Sequence, residues 1–148
     1  MGWIYLADGS GSGQLPQGGF YTTFVDPNSA NFTIKVVKID HTHAYCTRPG
    51  LPAFTVAAER VTFSLAASMG TPVLSVWLSN FQNYSGAGPM FQQLADIHVG
   101  ADHTFSLDVA VGATYTISTV TTAQKGSFGP SPVSVTQFPI PYSDDFNR

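Results

Sequence analysis

Apolar residues recur at every second position in short runs, and no window holds them at helical spacing over three turns. Successive side chains of a strand point to opposite faces, so a period of two belongs to strands with one buried face. Val61, Phe63 and Leu65 alternate with Thr62 and Ser64, and Leu74, Val76 and Leu78 alternate with Ser75, Trp77 and Ser79. Phe105, Leu107 and Val109 repeat the pattern, and Tyr115 and Ile117 are interleaved with threonine and serine. Gly18-Gly19 precedes Phe20-Tyr21-Thr22-Thr23-Phe24-Val25, and Asp26-Pro27-Asn28-Ser29 then turns the chain. Aromatic and β-branched side chains fit a pleated surface, and Asp, Pro and Asn favour the turn. Asn31 to Asp40 reads as the return strand, and Trp3-Ile4-Tyr5-Leu6 as a short first one. The pattern predicts an all-β fold, an antiparallel β-sandwich of about seven to eight strands.

Three stretches depart from simple alternation. Phe32, Ile34 and Val36 share one parity, after which Val37 and Ile39 take over and Lys38 breaks the first set. A one-residue slip flips every side chain, so this change predicts a bulge or twist near Val36-Val37. Asp8 to Gly19 reads as a Gly/Ser/Pro loop with little to bury. From Lys125 to Arg148, Pro130, Pro132, Pro139 and Pro141 remove backbone donors and favour extended chain. The expected organisation is a sandwich over 1–124 and an extended Pro-rich linker over 125–148.

Charged residues make up only 10% of the chain, against roughly 25% in typical soluble domains. So sparse a surface implies that neighbouring protein covers part of it. A net charge of −3, with six scattered basic residues, removes the electrostatic basis for nucleic-acid binding. No apolar run approaches the ~18 residues of a membrane span, so no transmembrane segment is expected. Met1-Gly2-Trp3 lacks the basic and apolar regions of a signal peptide. One cysteine, Cys46, excludes a disulfide within the chain; it is either a buried thiol or half of a bridge to protein elsewhere.

The candidate chemistry is sparse. His41, His43 and Cys46 suggest metal ligands, but no further His, Cys pair or carboxylate completes a tetrahedral set, so no metal or cofactor is expected. Glycosidases that work with two carboxylates need a fixed pair, yet Glu59 is the single glutamate and most aspartates fall in turns. Gly9-Ser10-Gly11-Ser12-Gly13 lacks the lysine and helix of a phosphate cradle, and there is no Gly-x-Ser-x-Gly elbow. Asn31-Phe32-Thr33 and Asn83-Tyr84-Ser85 match the N-glycosylation sequon. Arg48, followed by Pro49, suits a bidentate polar partner such as sugar hydroxyls or a carboxylate.

His41-x-His43-x-x-Cys46-x-Arg48-Pro49, with Leu51-Pro52 after it, resembles a segment of the galactocerebrosidase family, glycoside hydrolase family 59. Thr119 to Phe128 is similar to that family's Thr-rich strand ending in Lys-Gly-Ser-aromatic, although Ala123-Gln124 stands where Gly-Arg is usual. Gln137-Phe138-Pro139 through Tyr142 to Asn147, and the opening Gly2 to Leu6 and Gly18 to Tyr21, match in the same order. The resemblance implies a non-catalytic sandwich between a catalytic TIM barrel and a C-terminal lectin-like domain. The parent would be a retaining enzyme that removes galactose from galactosyl lipids, secreted or lysosomal. It further implies that Arg48 reaches the galactose pocket, that Cys46 bridges to the barrel as in animal members, and that Asn31 falls at their sequon. Because the family's sandwich also recruits a strand from before the barrel, an unpaired edge is expected here. A different class of function is an independent carbohydrate-binding module with Trp3, Tyr5, Trp77, Phe81 and Tyr84 as a stacking platform. A structural, adhesin-like sandwich is a third.

Overall fold

A computed structural model describes residues 2–7, 9, 11–41, 50, 52, 54–81 and 88–123. The chain is all-β, with a single turn of 3-10 helix at Ala67–Met69 among the described residues. Its strands are β1 (Ile4–Leu6), β2 (Gly13–Gln14), β3 (Phe20–Val25), β4 (Phe32–Val37) and β5 (Glu59–Ser64). They continue with β6 (Val73–Asn80), β7 (Gln92–Gln93), β8 (Ile97–His98), β9 (Thr104–Val109) and β10 (Ala113–Ser118). The seven longer strands are the ones that alternation predicts; β2, β7 and β8 are two-residue pairings too short to leave a periodic signal.

Two antiparallel sheets of unequal size enclose the core. Among the described residues eight strands form the large sheet in the order β1-β3-β4-β10-β6-β7, with β2 also on β3 and β8 also on β6. The small sheet is the pair β5-β9. Phe32, Ile34, Val36, Leu74, Val76, Tyr115 and Ile117 of the large sheet meet Val61, Phe63, Phe105 and Val109 of the small one. Phe63 stacks on Phe105 at 5.2 Å between ring centroids and meets Tyr21 edge to face at 5.5 Å, joining the layers.

One expectation is refined and another corrected. No slip occurs within β4, which keeps register with β3 from Phe32 through Val37 and with β10 from Thr33 through Val37. The bulge falls one residue on and on the partner strand: Gly112, at φ +78°, and Ala113 together oppose Lys38, Gly112 N donating to Lys38 O and Lys38 N to Ala113 O. The buried parity simply continues into Lys38, which is fully buried, while Val37 and Ile39 are half-buried on the opposite face. The Gly/Ser/Pro stretch does bury something: Leu15 joins the core, and the Ser12 hydroxyl donates to Leu6 O and accepts from Thr23 N. A small polar residue here ties β1 to β3 where two short strands share one edge. The linker expected over 125–148 lies outside the described residues.

Candidate functional site

The longest connection between consecutive strands runs from β4 to β5, and its two limbs converge at a neck of described residues. Lys38 continues β4 by donating its backbone N–H to Ala113 O at 2.9 Å, while Gly112 N donates to Lys38 O at 2.9 Å. Strand alternation then drives its side chain inward. The ammonium meets Glu59 Oε1 at 2.8 Å, Gly18 O at 2.6 Å and Gln17 O at 3.2 Å. An ammonium has three protons, so these three acceptors satisfy it. The Lys38 side chain is 0% exposed and that of Glu59 10%, which makes this a buried ion pair. Burying a charge is tolerable only when it is both paired and hydrogen-bonded, and both conditions are met.

The turn before β3 is threaded between the two limbs. Gln17 N donates to Glu59 Oε1 at 3.2 Å, and Gln17 O accepts from Ala57 N at 2.9 Å. Gly18 and Gly19 have φ of +77° and +87°, a region that side chains with a Cβ rarely occupy. A Cβ on Gly18 would lie 2.6 Å from Thr55 O, and one on Gly19 2.5 Å from Val37 O. The double glycine therefore permits both the turn and the close approach of two backbones. Farther out, the rings of His41 and Phe54 meet edge to face at 6.1 Å, with Phe54 exposed at the mouth of the neck.

The candidate residues fall unevenly around this neck. Arg48, Cys46 and the second sequon asparagine, Asn83, lie outside the described residues, as does His43. Of the His41/His43/Cys46 set, His41 alone is described, and its ring faces Phe54. Asn31 is half-buried at the start of β4: its backbone closes the turn by accepting from Asp26 N at 2.9 Å, and its Oδ1 accepts from Thr119 at 3.0 Å. Sequence reasoning missed the Lys38–Glu59 pair. Its signals were present, namely a lysine in the buried parity of a strand and the chain's lone glutamate opening the next strand.

Four further described acids stand in structural roles. Asp96 accepts from Ser75 at 3.0 Å, and Asp108 pairs with Arg60 on the surface at 2.7 Å. Hydrogen bonds from Ser29 and the Asn28 backbone hold the Asp26 carboxyl below its ordinary value of 3.8; those from the Thr104 hydroxyl and backbone do the same for Asp102. Both cap turns. The aromatic platform, the alternative to these rings filling the core or an interface, does not assemble among the described residues. Trp3 and Tyr5 are exposed, but Trp77 is buried beneath Phe91, stacked at 5.6 Å and 9°. Phe81 is half-buried, and Tyr84 lies outside the described residues.

An apolar groove of about 470 Å³ opens between the large sheet and β5, lined by Leu15, Tyr21, Val25, Phe32, Val61 and Phe63 among others. Among the described residues β5 pairs with β9 alone, so its other edge faces this groove without a strand partner.

Comparison with known proteins sets this geometry in context. The sequence model of the glycosyl hydrolase family 59 central domain matches residues 5–124. Galactocerebrosidase of Danio rerio is 40% identical over 146 residues, covering 98% of this chain and 21% of that protein. The galactocerebrosidases of Salmo salar and Homo sapiens are each 36% identical, with 99% of this chain and 21% of theirs covered. The chain thus spans about a fifth of the length of these curated relatives.

Proposed function

Because this chain belongs to the glycosyl hydrolase family 59 central-domain family, we propose that it is a non-catalytic accessory domain of a larger galactosylceramidase-like enzyme. The observation that carries the reading is the imbalance of the sandwich. Among the described residues a two-stranded sheet opposes an eight-stranded one, and an apolar groove of about 470 Å³ lies along the edge of β5 that no described strand pairs. Apolar surface and unpaired strand edges are normally covered, and a strand from elsewhere in a parent protein would do both. The low charge content and the relatives' greater length support the same reading. Asp26, Glu59, Asp96, Asp102 and Asp108 are committed to turns, hydroxyls and ion pairs, whereas glycoside cleavage needs a rigid, free carboxylate pair.

In this reading the domain packs on a catalytic TIM barrel, precedes a lectin-like domain, and lends Arg48 to the galactose pocket. A planar guanidinium holds sugar hydroxyls in a fixed orientation, so its contribution is to binding and alignment rather than to bond cleavage. Cys46 bridges to the barrel, and Asn31 and Asn83 carry glycans where the parent passes through a secretory route to the lysosome or the exterior. Purified chain given a galactoside should show no hydrolysis, and robust turnover would overturn the assignment. In the full-length protein Arg48→Ala should raise KM for a galactosyl lipid with kcat little changed. The burial of Trp77 removes the main support for an independent sugar-binding module, which calorimetric titration of the isolated chain with galactosides would test.

A further inference from the structure

We infer that the outer face of the large sheet is the surface on which a second folded domain of the parent protein docks, through a low-charge patch that sets a carboxylate against Lys35. The inference rests on the function proposed above, which makes this chain one domain among several. Strand alternation gives each sheet an outer face, and the two faces differ. On the small sheet the outer face is polar and self-contained. Arg60 pairs with Asp108 at 2.7 Å, with side chains 63% and 75% exposed, and Thr62 bonds Ser106 at 2.8 Å. An antiparallel sheet with one face in water has this pattern. The large sheet breaks it. Its outward positions set Phe20 beside Val37, and Tyr5 beside Phe24 with ring centroids 5.9 Å apart. Phe20 is 59% exposed and Tyr5 51%. Between them runs a row of Thr22, Lys35, Thr116 and Trp77. Exposed Lys35 is the one charge that β1, β3, β4, β10 and β6 present on this face, and it has no ion-pair partner among the described residues.

Contiguous exposed apolar surface marks a contact site, and the centres of interfaces are poor in charge and rich in aromatic rings. The hydroxyls of this face are also ready for burial. Thr33 and Ser118 share a hydrogen bond of 2.7 Å, Ser75 donates to Asp96 at the β6 edge at 3.0 Å, and Ser79 accepts from Phe91 N at 3.0 Å. Polar groups already bonded within the chain can be covered at little cost. The same bonding argues against a sugar as occupant, because its hydroxyls would find few free partners. Charge argues against a second copy: a two-fold pairing centred on the middle row sets Lys35 against its own counterpart. Five strands about 4.8 Å apart and five residues of about 3.4 Å give a footprint of roughly 400 Å² in projection. Interfaces between domains of one chain cover roughly 300–750 Å² on each side, so the size fits. The relatives, of which this chain covers 21%, hold ample further protein to supply the partner.

The test is chemical footprinting of the full-length natural protein, read by mass spectrometry. Radical oxidation of Phe20 and Tyr5 and acetylation of Lys35 should be slower by about tenfold or more in the native than in the urea-denatured protein. Carbodiimide, which takes up the water released as an amine and a carboxylate in contact form an amide, should join Lys35 to an Asp or Glu outside residues 1–148 of the same molecule. Thr22→Arg adds a second cation beside Lys35 and should speed Phe20 oxidation by about fivefold or more, whereas Thr62→Arg on the small sheet should leave it unchanged. Should Thr22→Arg fail to fold, footprinting of the unmutated protein decides alone. A long natural polypeptide in which Phe20 and Lys35 react as fast as after denaturation overturns the docking and leaves the domain reading standing. A natural polypeptide no longer than this chain overturns that reading, and the docking with it. Protection lost on dilution to monomer gives the face to a second copy, and protection that appears only with added galactoside gives it to a sugar; either result overturns the inference. Absence of the Lys35 cross-link removes the carboxylate.

Discussion

Lys38 at the neck and Ile117, Val36 and Val76 at the centre of the large sheet are equally sealed, each at 0% exposure. The central residues are sealed by carbon, from neighbours supplied by β4, β10 and β6 and by the facing small sheet. Lys38 is sealed by oxygen, from a carboxylate and two carbonyls. Apolar packing tolerates substitution by anything of similar shape, whereas a buried charge depends on one specific partner. The two regions should therefore fail in different ways.

The largest effect is expected where that dependence is broken. Glu59→Ala leaves a sealed ammonium with carbonyls but no counter-charge, and should cost about 3–5 kcal/mol in urea denaturation. A loss under about 1 kcal/mol would erase the distinction between the two regions. Ile117→Ala removes carbon from the middle of the sheet and should cost about 3 kcal/mol, read in the same way. Gly19→Ala probes the neck by sterics, because its Cβ would meet Val37 O at 2.5 Å with φ at +87°. About 2 kcal/mol should be lost, with an unchanged thermal midpoint the contrary result.

Smaller effects sharpen the comparison. Ala110 N donates to the Tyr115 hydroxyl at 3.0 Å, a single polar link at the rim of the apolar region. Tyr115→Phe should cost about 1 kcal/mol, well below the loss of a neck charge. The smallest effect is at exposed Asp102, whose carboxyl the Thr104 hydroxyl and backbone hold below 3.8. A depressed folded value means that its contribution is present above pH 3.8 and is lost as pH falls through that lowered value. The gap in thermal midpoint between the chain and Asp102→Ala should thus be present at neutral pH and close in strong acid. A gap that persists there would point to something other than the carboxylate.

Among the described residues, period-two patterning together with residue type and turn signals located every strand of three residues or more. It failed at Lys38 for a physical reason: patterning assumes that buried means apolar, and so it reads a lysine as a break in register. In the structure the register holds through Val37, and the lysine is buried because Glu59 and two carbonyls await it. Leu15 was missed because one apolar residue among glycine, serine and proline has no period. Alternation set Trp77 opposite Leu74, Val76 and Leu78 and favoured burial for it, but nothing local signals that Phe91 is the residue that covers it.

The sequence by itself determined the all-β class, the positions of the long strands and membership of a central-domain family. Those properties follow from local alternation and from residues matched in order. Tertiary structure alone decided which strands share a sheet, the imbalance that opens the groove, and the partnership of Lys38 with Glu59. These depend on segments far apart in the chain, and a pairing energy exists only once folding has brought them together.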